Sequence, residues 1–373
     1  MGSRDAFFRC GYCGREYGLT DRAFRCRCGG LFDIAGLDDP FSASILDERA
    51  QGLFRYRQLM PSAVDGHWLE ATMGEGWTAM VGLGKAFGGL IAKMDYAMPT
   101  LSFKDRGAAV LMAAAKAAGA SSVIQDSSGN AGNSVAAYSA RLGIECEIFV
   151  PEGTSPNKVS QIRAYGAKVR LVPGNREDTA RAALEEAEAG RYYASHVYNP
   201  MFYQGTKTYI YEIWEQMGGS LPDALAVPVG NGTLLLGVYY GLKSLMAGGA
   251  ISKMPALIAV QAARCAPLYG SFEKGLDSVA PVRNEGTLAE GIAIAAPMRG
   301  AQLIKVIREL GGYVVAVGED EIKQAGEKLS RSGIFVEPTS AATVAGALNW
   351  SKASGFDGAM VVPMCGAGLK SLH

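Results

Sequence analysis

Residues 122–150 read SVIQDSSGNAGNSVAAYSARLGIECEIFV, and this stretch indicates the class of fold. The short apolar run at 122–125 is typical of a buried strand, and the Ser/Gly/Asn turn after it leads into a helical pattern at 131–142 that Gly143 closes. A second apolar run follows at 147–150. A strand, a helix and another strand at this spacing predict a βαβ unit with parallel strands.

The same alternation continues through most of the chain. Further strands are predicted at 168–172, 224–229, 256–261, 313–317 and 359–363, and further helices at 158–165, 178–189 and 203–217. Strands and helices that alternate in this way predict an α/β protein with largely parallel sheets covered on both faces. The βα units at 96–196 are expected to form a smaller domain inserted into a larger one made of 35–95 and 197–373.

Composition excludes several classes of protein. The 373 residues include 36 basic and 36 acidic side chains, and 49% are apolar, so the chain is expected to be globular and not to act chiefly on a polyanion or an acidic membrane. No apolar run is long enough for a membrane span and no signal peptide is seen, which favours the cytoplasm. Glycine accounts for 48 residues, about twice its usual ~7% share, as in α/β enzymes that bind phosphates.

Four of the seven cysteines are close together near the N-terminus. Cys10, Cys13, Cys26 and Cys28 follow the pattern C-x2-C-x12-C-x-C, which suits a tetrahedral Zn²⁺, although the second pair is one residue shorter than usual. The alternative is four reduced cysteines without a metal. Six arginines in the first 30 residues also leave open a zinc ribbon that binds nucleic acid.

Residues 99–107 read PTLSFKDRG and precede an alanine-rich helical pattern that ends at Gly119. Ser102 is the predicted N-cap, which puts Lys104 in the first helical turn, where the helix dipole disfavours a cation. A lysine with a destabilised ammonium form is suited to Schiff-base formation, whereas the alternative is a solvated surface lysine.

Two polar loops each follow a predicted strand and open a helix. The N–H groups of the loop SSGNAGN at 127–133 can hold a carboxylate, and Asn130 can donate to a phenolic oxygen; the alternative is an ordinary polar turn. The loop PVGNGT at 228–233 can hold a phosphate with its amides and the Thr233 hydroxyl. This loop lacks the third glycine of a dinucleotide fingerprint, so dehydrogenase activity is disfavoured.

A Schiff-base lysine, a carboxylate loop and a phosphate loop are together the parts that bind pyridoxal phosphate and an amino acid. The motifs PTLSFKDRG, SSGNAGNS, NPMFYQGTKT, VPVGNGT, EPTSAA and PMCGAGLK resemble the fold-type II pyridoxal-phosphate enzymes, the tryptophan synthase beta-like family. The threonine synthase branch is the most similar, and its N-terminal segment resembles CGYCGREY…CRCGGLFDI and GEGWT. The resemblance implies two three-layer, open, mostly parallel sheet domains, a zinc-ribbon-like segment at 1–34 and a homodimer.

The resemblance also implies roles for individual residues. Lys104 forms the Schiff base with the cofactor and acts as the base at the substrate's α-carbon, and Asn130 bonds the cofactor's 3′ oxygen. The cofactor's phosphate lies on Gly230, Asn231, Gly232, Thr233 and Leu234, and its ring nitrogen lies near Cys365. The substrate lies on Ser127, Ser128, Gly129, Ala131 and Phe202, and the zinc on Cys10, Cys13, Cys26 and Cys28.

Three positions depart from the threonine synthase pattern. Cys365 and Ala367 stand where that branch usually has a threonine against the ring nitrogen and a nearby histidine. Phe202 stands where it usually has an arginine that helps to hold the phosphate of O-phosphohomoserine, and an apolar ring cannot replace a guanidinium. Lys158 and Lys207 can compensate for the missing charge, or each can be a solvated helix lysine.

The expected reaction is the conversion of O-phosphohomoserine and water to threonine and phosphate. The alternative within the same family is a serine or threonine dehydratase, or a β-replacement enzyme similar to cysteate synthase, acting on a substrate without a γ-phosphate. The alternative from a different functional class is a zinc-ribbon protein that binds nucleic acid. The expected partner is a small amino acid, with no nucleic acid and no membrane.

Overall fold

The structure is a computed structural model that describes residues 5–37 and 39–371, apart from the side chain of Asn157. The strands are β1 (Phe7–Cys10), β2 (Glu16–Tyr17), β3 (Phe32–Ala35), β4 (Met80–Gly82), β5 (Ile91–Lys93), β6 (Ser122–Gln125), β7 (Glu145–Pro151), β8 (Lys168–Val172), β9 (Tyr192–Tyr193), β10 (Ala224–Pro228), β11 (Ala256–Ala262), β12 (Tyr313–Val317) and β13 (Met360–Pro363). The α-helices are α1 (Trp68–Ala71), α2 (Lys104–Ala117), α3 (Asn130–Leu142), α4 (Pro156–Ala164), α5 (Arg176–Glu188), α6 (Met201–Thr206), α7 (Thr208–Gln216), α8 (Thr233–Ala247), α9 (Pro267–Glu273), α10 (Gly300–Glu309), α11 (Glu319–Arg331) and α12 (Pro338–Ser354).

The α/β class predicted from the sequence is confirmed, since mostly parallel strands alternate with helices along the chain. The predicted helix at 203–217 is in fact two helices, α6 and α7, that are interrupted at Lys207. Within the described ranges, no helix combines the length and the apolar character needed to cross a membrane.

The chain forms two compact units, each built from two separate segments. The first consists of the described residues up to Trp77 and of Lys104–Thr208, and the second of Thr78–Phe103 and the described residues from Tyr209 onward. The sequence predicted instead that 35–95 belongs with 197–373. In the structure, residues 52–77 belong to the first unit and pack on its helices; the Tyr138 hydroxyl of α3, for example, donates to the Glu75 carboxylate at 2.9 Å.

A four-stranded parallel sheet with the order β8-β7-β6-β9 lies at the centre of the first unit. Helices α2 and α6 approach closely at glycines, since a side chain on Gly205 would lie 1.9 Å from the Arg106 carbonyl. The N-terminal strands form a separate antiparallel sheet with the order β2-β1-β3. Phe24, from the same N-terminal segment, packs against Tyr193 and Tyr198 at ring distances of 5.7 and 5.3 Å, which anchors that segment.

The second unit contains a six-stranded sheet with the order β12-β11-β10-β13-β5-β4, in which only β4 is antiparallel to its neighbour. Apolar side chains of the central strands and of α12 form its core. One ion pair is enclosed completely: the Lys93 ammonium lies 2.8 Å from a Glu212 carboxylate oxygen, and it also donates to the Thr78 carbonyl and to the Gln216 side chain.

Candidate active site

Lys104 is the first residue of α2, as the sequence predicts. The two residues after it are buried and hold the start of the helix: Asp105 accepts a hydrogen bond from Ser134 at 2.7 Å, and Arg106 donates to Thr208 at 3.0 Å. The predicted N-cap is wrong, because the buried Ser102 hydroxyl has no hydrogen-bond partner among the described residues. The backbone of Ser102 forms a bridge with Gly366 instead, which takes this residue into the second unit.

Phe202 provides an aromatic surface beside this lysine. Its ring centre lies 5.8 Å from the Lys104 Nζ, within the range of a cation–π contact. The ring is fully buried, and Gly107 makes room for it, since a Cβ at that position would lie 2.3 Å from a ring carbon. The position that the sequence assigned to the substrate site is therefore occupied by an apolar wall.

His196 forms the next part of this wall. Its ring centre lies 5.9 Å from that of Phe202, and its Nδ1 lies 3.3 Å from the Gln125 side-chain nitrogen. Burial, together with the positive charges of Lys104 and Arg176, lowers the pKa of His196 well below its usual value. The imidazole is therefore neutral at physiological pH, and it offers hydrogen bonds without a charge.

The SSGN turn connects β6 to α3, where the sequence predicted it. The Gly129 N–H donates to the Ser127 hydroxyl at 3.2 Å, and a Cβ on Gly132 would lie 1.8 Å from the Ser127 carbonyl, so glycine is required there. Asn130 and Ala131 open α3, whose first N–H groups have no intrahelical acceptor. The Asn133 Oδ1 is buried without a hydrogen-bond partner in the described part of the chain. This turn can bind a carboxylate.

The glycine loop between β10 and α8 belongs to the second unit. Gly232 has φ +77 and is the N-cap of α8, and a Cβ on it would lie 2.2 Å from a Leu303 methyl carbon. A Cβ on Gly230 would lie 3.0 Å from Ile294. The first N–H groups of this 15-residue helix, at Thr233 and Leu234, have no intrahelical acceptor, so the loop fits a phosphate group.

Cys365 follows β13, which is the neighbour of β10 in the same parallel sheet. The loop that carries Cys365 and the glycine loop therefore leave the sheet at the same edge. The Cys365 side chain is buried, and its backbone is fixed by the Ser340 hydroxyl at 2.8 Å and by the Phe103 N–H at 2.8 Å. Asn231 is half-buried in the glycine loop.

Lys207, one of the two lysines suggested to supply the positive charge that Phe202 lacks, already forms an ion pair within the chain. The Lys207 ammonium is buried and lies 2.5 Å from both the Asp39 carboxylate and the Leu59 carbonyl. Burial lowers the pKa of Lys207, while Asp39 opposes that effect. Lys207 is therefore a structural residue. Lys158 is half-buried in α4.

A buried carboxyl group lies behind α2 and α3. Glu75 is fully buried; its Oε2 accepts hydrogen bonds from the Tyr138 hydroxyl at 2.9 Å and from the Met73 N–H at 2.8 Å. Burial raises the pKa of Glu75 to about 7, and the negative charge of Asp105 adds to the effect.

The four N-terminal cysteines are brought together. Their sulfur atoms all lie within 4.8 Å of one another, with 3.5 Å between Cys10 and Cys28 and 3.6 Å between Cys13 and Cys26. Four thiolates at about 2.3 Å from a zinc ion lie roughly 3.8 Å apart, so the cluster fits this metal. The Tyr12 and Cys13 N–H groups point at the Cys10 sulfur, at 3.4 and 3.5 Å, and stabilise a negative charge there.

Comparison with known proteins identifies the family to which the chain belongs. Residues 71–366 match the family described as pyridoxal-phosphate dependent enzyme. The chain therefore belongs to the family of pyridoxal-phosphate-dependent enzymes, and pyridoxal phosphate is its cofactor. Within that family it is a member of the threonine synthase branch.

Membership of the threonine synthase branch rests on the similarity to two archaeal relatives. The chain is 35% identical to a threonine synthase of Methanocaldococcus jannaschii, over 91% of this chain and 86% of the relative. It is 31% identical to a threonine synthase of Methanosarcina acetivorans, over 91% and 85%. Among solved structures, a serine racemase of Dictyostelium discoideum has a TM-score of 0.66 at 25% identity, covering 82% of this chain and 97% of that one. Threonine deaminase isoform 2 of Solanum lycopersicum, at 24% identity and a TM-score of 0.70 over 87% and 92%, has the same fold.

From sequence alone a lone histidine such as His196 is expected to be structural, and Gln125 and Arg176 lie outside the predicted motifs. Each comes at or soon after the end of a strand in the four-stranded sheet, and the ends of parallel strands meet at one edge. Their position after strand ends could have identified them as candidate site residues, because ligands of open α/β sheets bind at this edge.

Proposed function

We propose that this protein is a threonine synthase, which converts O-phosphohomoserine and water to threonine and phosphate. The observation that carries the proposal is the likeness to threonine synthases over 91% of the chain. When bound, pyridoxal phosphate withdraws electrons from the substrate's α-carbon, which makes loss of a proton and of a leaving group possible.

In this proposal, different residues of the chain bind the cofactor, bind the substrate and transfer the proton. Lys104 binds the cofactor covalently and, once freed by the substrate, takes the α-proton on its ε-amine. Gly230, Asn231, Gly232, Thr233 and Leu234 hold the cofactor's phosphate, and Asn130 donates to its phenolic oxygen. Cys365, which is buried, would be the residue near the ring nitrogen. The amides of Ser127, Ser128, Gly129 and Ala131 bind the substrate's carboxylate.

A second function is favoured by one observation. Phe202 is buried and apolar beside Lys104, and Lys207 is bound to Asp39, so neither supplies a positive charge for a substrate phosphate. A dehydratase or a β-replacement enzyme needs no such charge, because its substrate has no γ-phosphate.

The test is the release of phosphate from O-phosphohomoserine by the purified, cofactor-loaded protein, with the amino-acid product identified. Lys104→Ala serves as the blank and is expected to lose the yellow chromophore. Lys116→Ala, at the other end of the same helix, is the matched control, since Lys116 donates to the Leu142 carbonyl. Threonine formed with phosphate supports the proposal. A yellow protein that releases no phosphate, but changes its spectrum with serine or threonine, supports the second function.

We also propose a cytoplasmic homodimer. None of the seven cysteines, all of which lie in the described part of the chain, forms a disulfide, and four of them form a zinc-type cluster, which suits a reducing compartment. Light scattering of the purified protein tests the oligomeric state, and a monomeric mass would contradict it.

A further inference from the structure

Phe24 joins the four-cysteine cluster to the core of the first unit. It lies between β2 and β3, outside any helix or strand, two positions before Cys26 of the cluster. Its buried ring meets the rings of Tyr193 and Tyr198 edge-on, at ring distances of 5.7 and 5.3 Å. The position of Phe24 therefore depends on how the cysteines hold the loop around it.

The contact made by Phe24 is an interior one. The next residue, Arg25, forms an exposed ion pair with Glu188, and exposed pairs contribute little to stability. Phe24 instead belongs to a buried apolar cluster that includes Ile124 of β6. A change in the cysteine loop would therefore reach the sheet of the first unit through Phe24.

Tyr193 links this apolar contact to the SSGN turn. It is the last residue of β9, and it lies opposite Ile124 in the neighbouring strand β6. Its hydroxyl donates to the Asp126 carboxylate at 2.7 Å. Burial and the negative charge of Asp126 raise the pKa of Tyr193 well above its usual value, so the hydroxyl keeps its proton and remains a donor.

Asp126 directly precedes the SSGN turn. The next residue, Ser127, accepts the Gly129 N–H at 3.2 Å, and its carbonyl packs so closely on Gly132 that a Cβ there would lie 1.8 Å away. A displacement of Asp126 would therefore pass to the amides of the turn. Groups that bind a ligand must be held to within about 0.5 Å of their working positions, so such a displacement weakens binding.

The N-terminal segment lies outside the region that matches the enzyme family, which begins at residue 71. We propose that Tyr193 is a positioning residue for the substrate's carboxylate, and that zinc in the cysteine cluster strengthens substrate binding through Phe24, Tyr193 and Asp126. With zinc bound, the loop holds Phe24 against Tyr193; without zinc, Tyr193 loses this support. The inference rests on the proposed function only for a carboxylate bound at the turn, and the second function shares that group.

The first test removes the Tyr193 hydroxyl and keeps its ring. With cofactor- and zinc-loaded protein, Tyr193→Phe is expected to weaken threonine binding about fivefold or more in a spectral titration, and to change cofactor affinity less than about twofold. Hydrogen exchange at residues 127–133 is expected to increase. Tyr192→Phe removes a hydroxyl that accepts from Asn199 in the same strand, and it should behave as the unmodified protein. Unchanged exchange in Tyr193→Phe, or equal effects in both variants, would overturn the role of Tyr193.

The second test concerns the metal. Removal of zinc by a chelator from cofactor-loaded protein is expected to weaken threonine binding by a similar factor, and added zinc should restore it. In Tyr193→Phe the same treatment should change threonine binding less than about twofold, because the link is already broken. The coupling is reciprocal, so saturating threonine should raise the affinity for zinc by the same factor, measured by competition with the chelator. A protein that binds no zinc, or equal effects of zinc removal in both proteins, would overturn the role of the metal.

These outcomes are separate from that of the proposed function. If the protein released no phosphate from O-phosphohomoserine, the proposed function would fail, and the threonine titrations would still test the link. If the unmodified protein bound no threonine, hydrogen exchange at residues 127–133 would decide. Exchange that increases on zinc removal in the unmodified protein, but not further in Tyr193→Phe, supports the link; any other result contradicts it.

Discussion

The Lys207 ammonium lies 2.5 Å from a carboxylate oxygen of Asp39, and the lysine side chain is fully buried. The same group donates to the Leu59 carbonyl at 2.5 Å. This contact joins the break between α6 and α7 to a segment about 150 residues earlier in the chain, as the separations of 148 and 168 residues show. Its effect is on stability, and the charge is not available to a substrate.

Lys207→Met is expected to lower the free energy of unfolding by about 1–3 kcal/mol, because Asp39 and the Leu59 carbonyl lose their hydrogen bonds to the Lys207 ammonium. KM for O-phosphohomoserine is expected to change less than about twofold, since the lysine does not bind substrate. Urea unfolding and steady-state kinetics measure the two effects. Lys243→Met, which breaks an exposed pair with Glu309, is the control and is expected to cost less than about 1 kcal/mol. A large rise in KM without loss of stability would contradict the structural role.

Gly232→Ala is expected to weaken cofactor binding about tenfold or more, equivalent to ~1.4 kcal/mol, because the new methyl group meets Leu303 and displaces the first turn of α8. Gly249→Ala is the matched control: it follows the same helix with φ +68, but a Cβ there meets nothing within 4 Å. Alanine is strained by a positive φ at both positions, but only Gly232→Ala also meets a side chain, so only this variant should lose cofactor in a spectral titration. Equal losses would show that strain alone is responsible.

Glu75→Gln is expected to change how stability depends on pH. The pKa of Glu75 is about 7 in the folded chain against 4.5 ordinarily, so the folded state holds the proton more tightly and the carboxyl group destabilises the fold as it ionises between those values. From pH 5 to pH 8 the variant should gain roughly 2–3 kcal/mol relative to the unmodified protein. Urea unfolding at both pH values measures the gain. Glu273→Gln, at an exposed position, should show none, and a constant difference across the pH range would contradict the burial argument.

Metal analysis of the purified protein is expected to find about one zinc ion per chain, bound by the four clustered cysteines. Cys13→Ser is expected to lower the zinc content and to increase hydrogen exchange in β1, β2 and β3, because the metal links the two cysteine pairs. Cys265→Ser changes a buried thiol outside the cluster and serves as the control. Metal-free protein with unchanged exchange in these strands would show that the segment is stable on its own.

Three of the predicted strands have the observed bounds, and the other four differ by one or two residues at an end. The runs at 122–125, 168–172 and 313–317 are β6, β8 and β12 without change. Strands β4, β5 and β9 have only two or three residues, so they carry too little periodicity to be seen in a single sequence. The division of the chain was also beyond prediction, because it depends on where residues 52–77 pack.

The two glycine-containing loops were predicted because their chemistry is contained in a few consecutive residues. Of the residues around Lys104 described above, only Phe202 was assigned to the substrate site from the sequence. His196, Gln125 and Arg176 are separated by up to 71 residues along the chain, and the strand order β8-β7-β6-β9 brings them to one edge. Strand order depends on packing throughout the unit, and no local motif encodes it.

The position of β13 also governs when each unit can be completed during translation. The first unit contains no residue beyond Thr208, so its four-stranded sheet can assemble once that residue has left the ribosome. The second cannot, because β13 at Met360–Pro363 pairs with β10 on one side and with β5 on the other. Until these last residues emerge, β5 and β10 have no strand between them, and the nascent chain exposes two unpaired edges to chaperones and to aggregation.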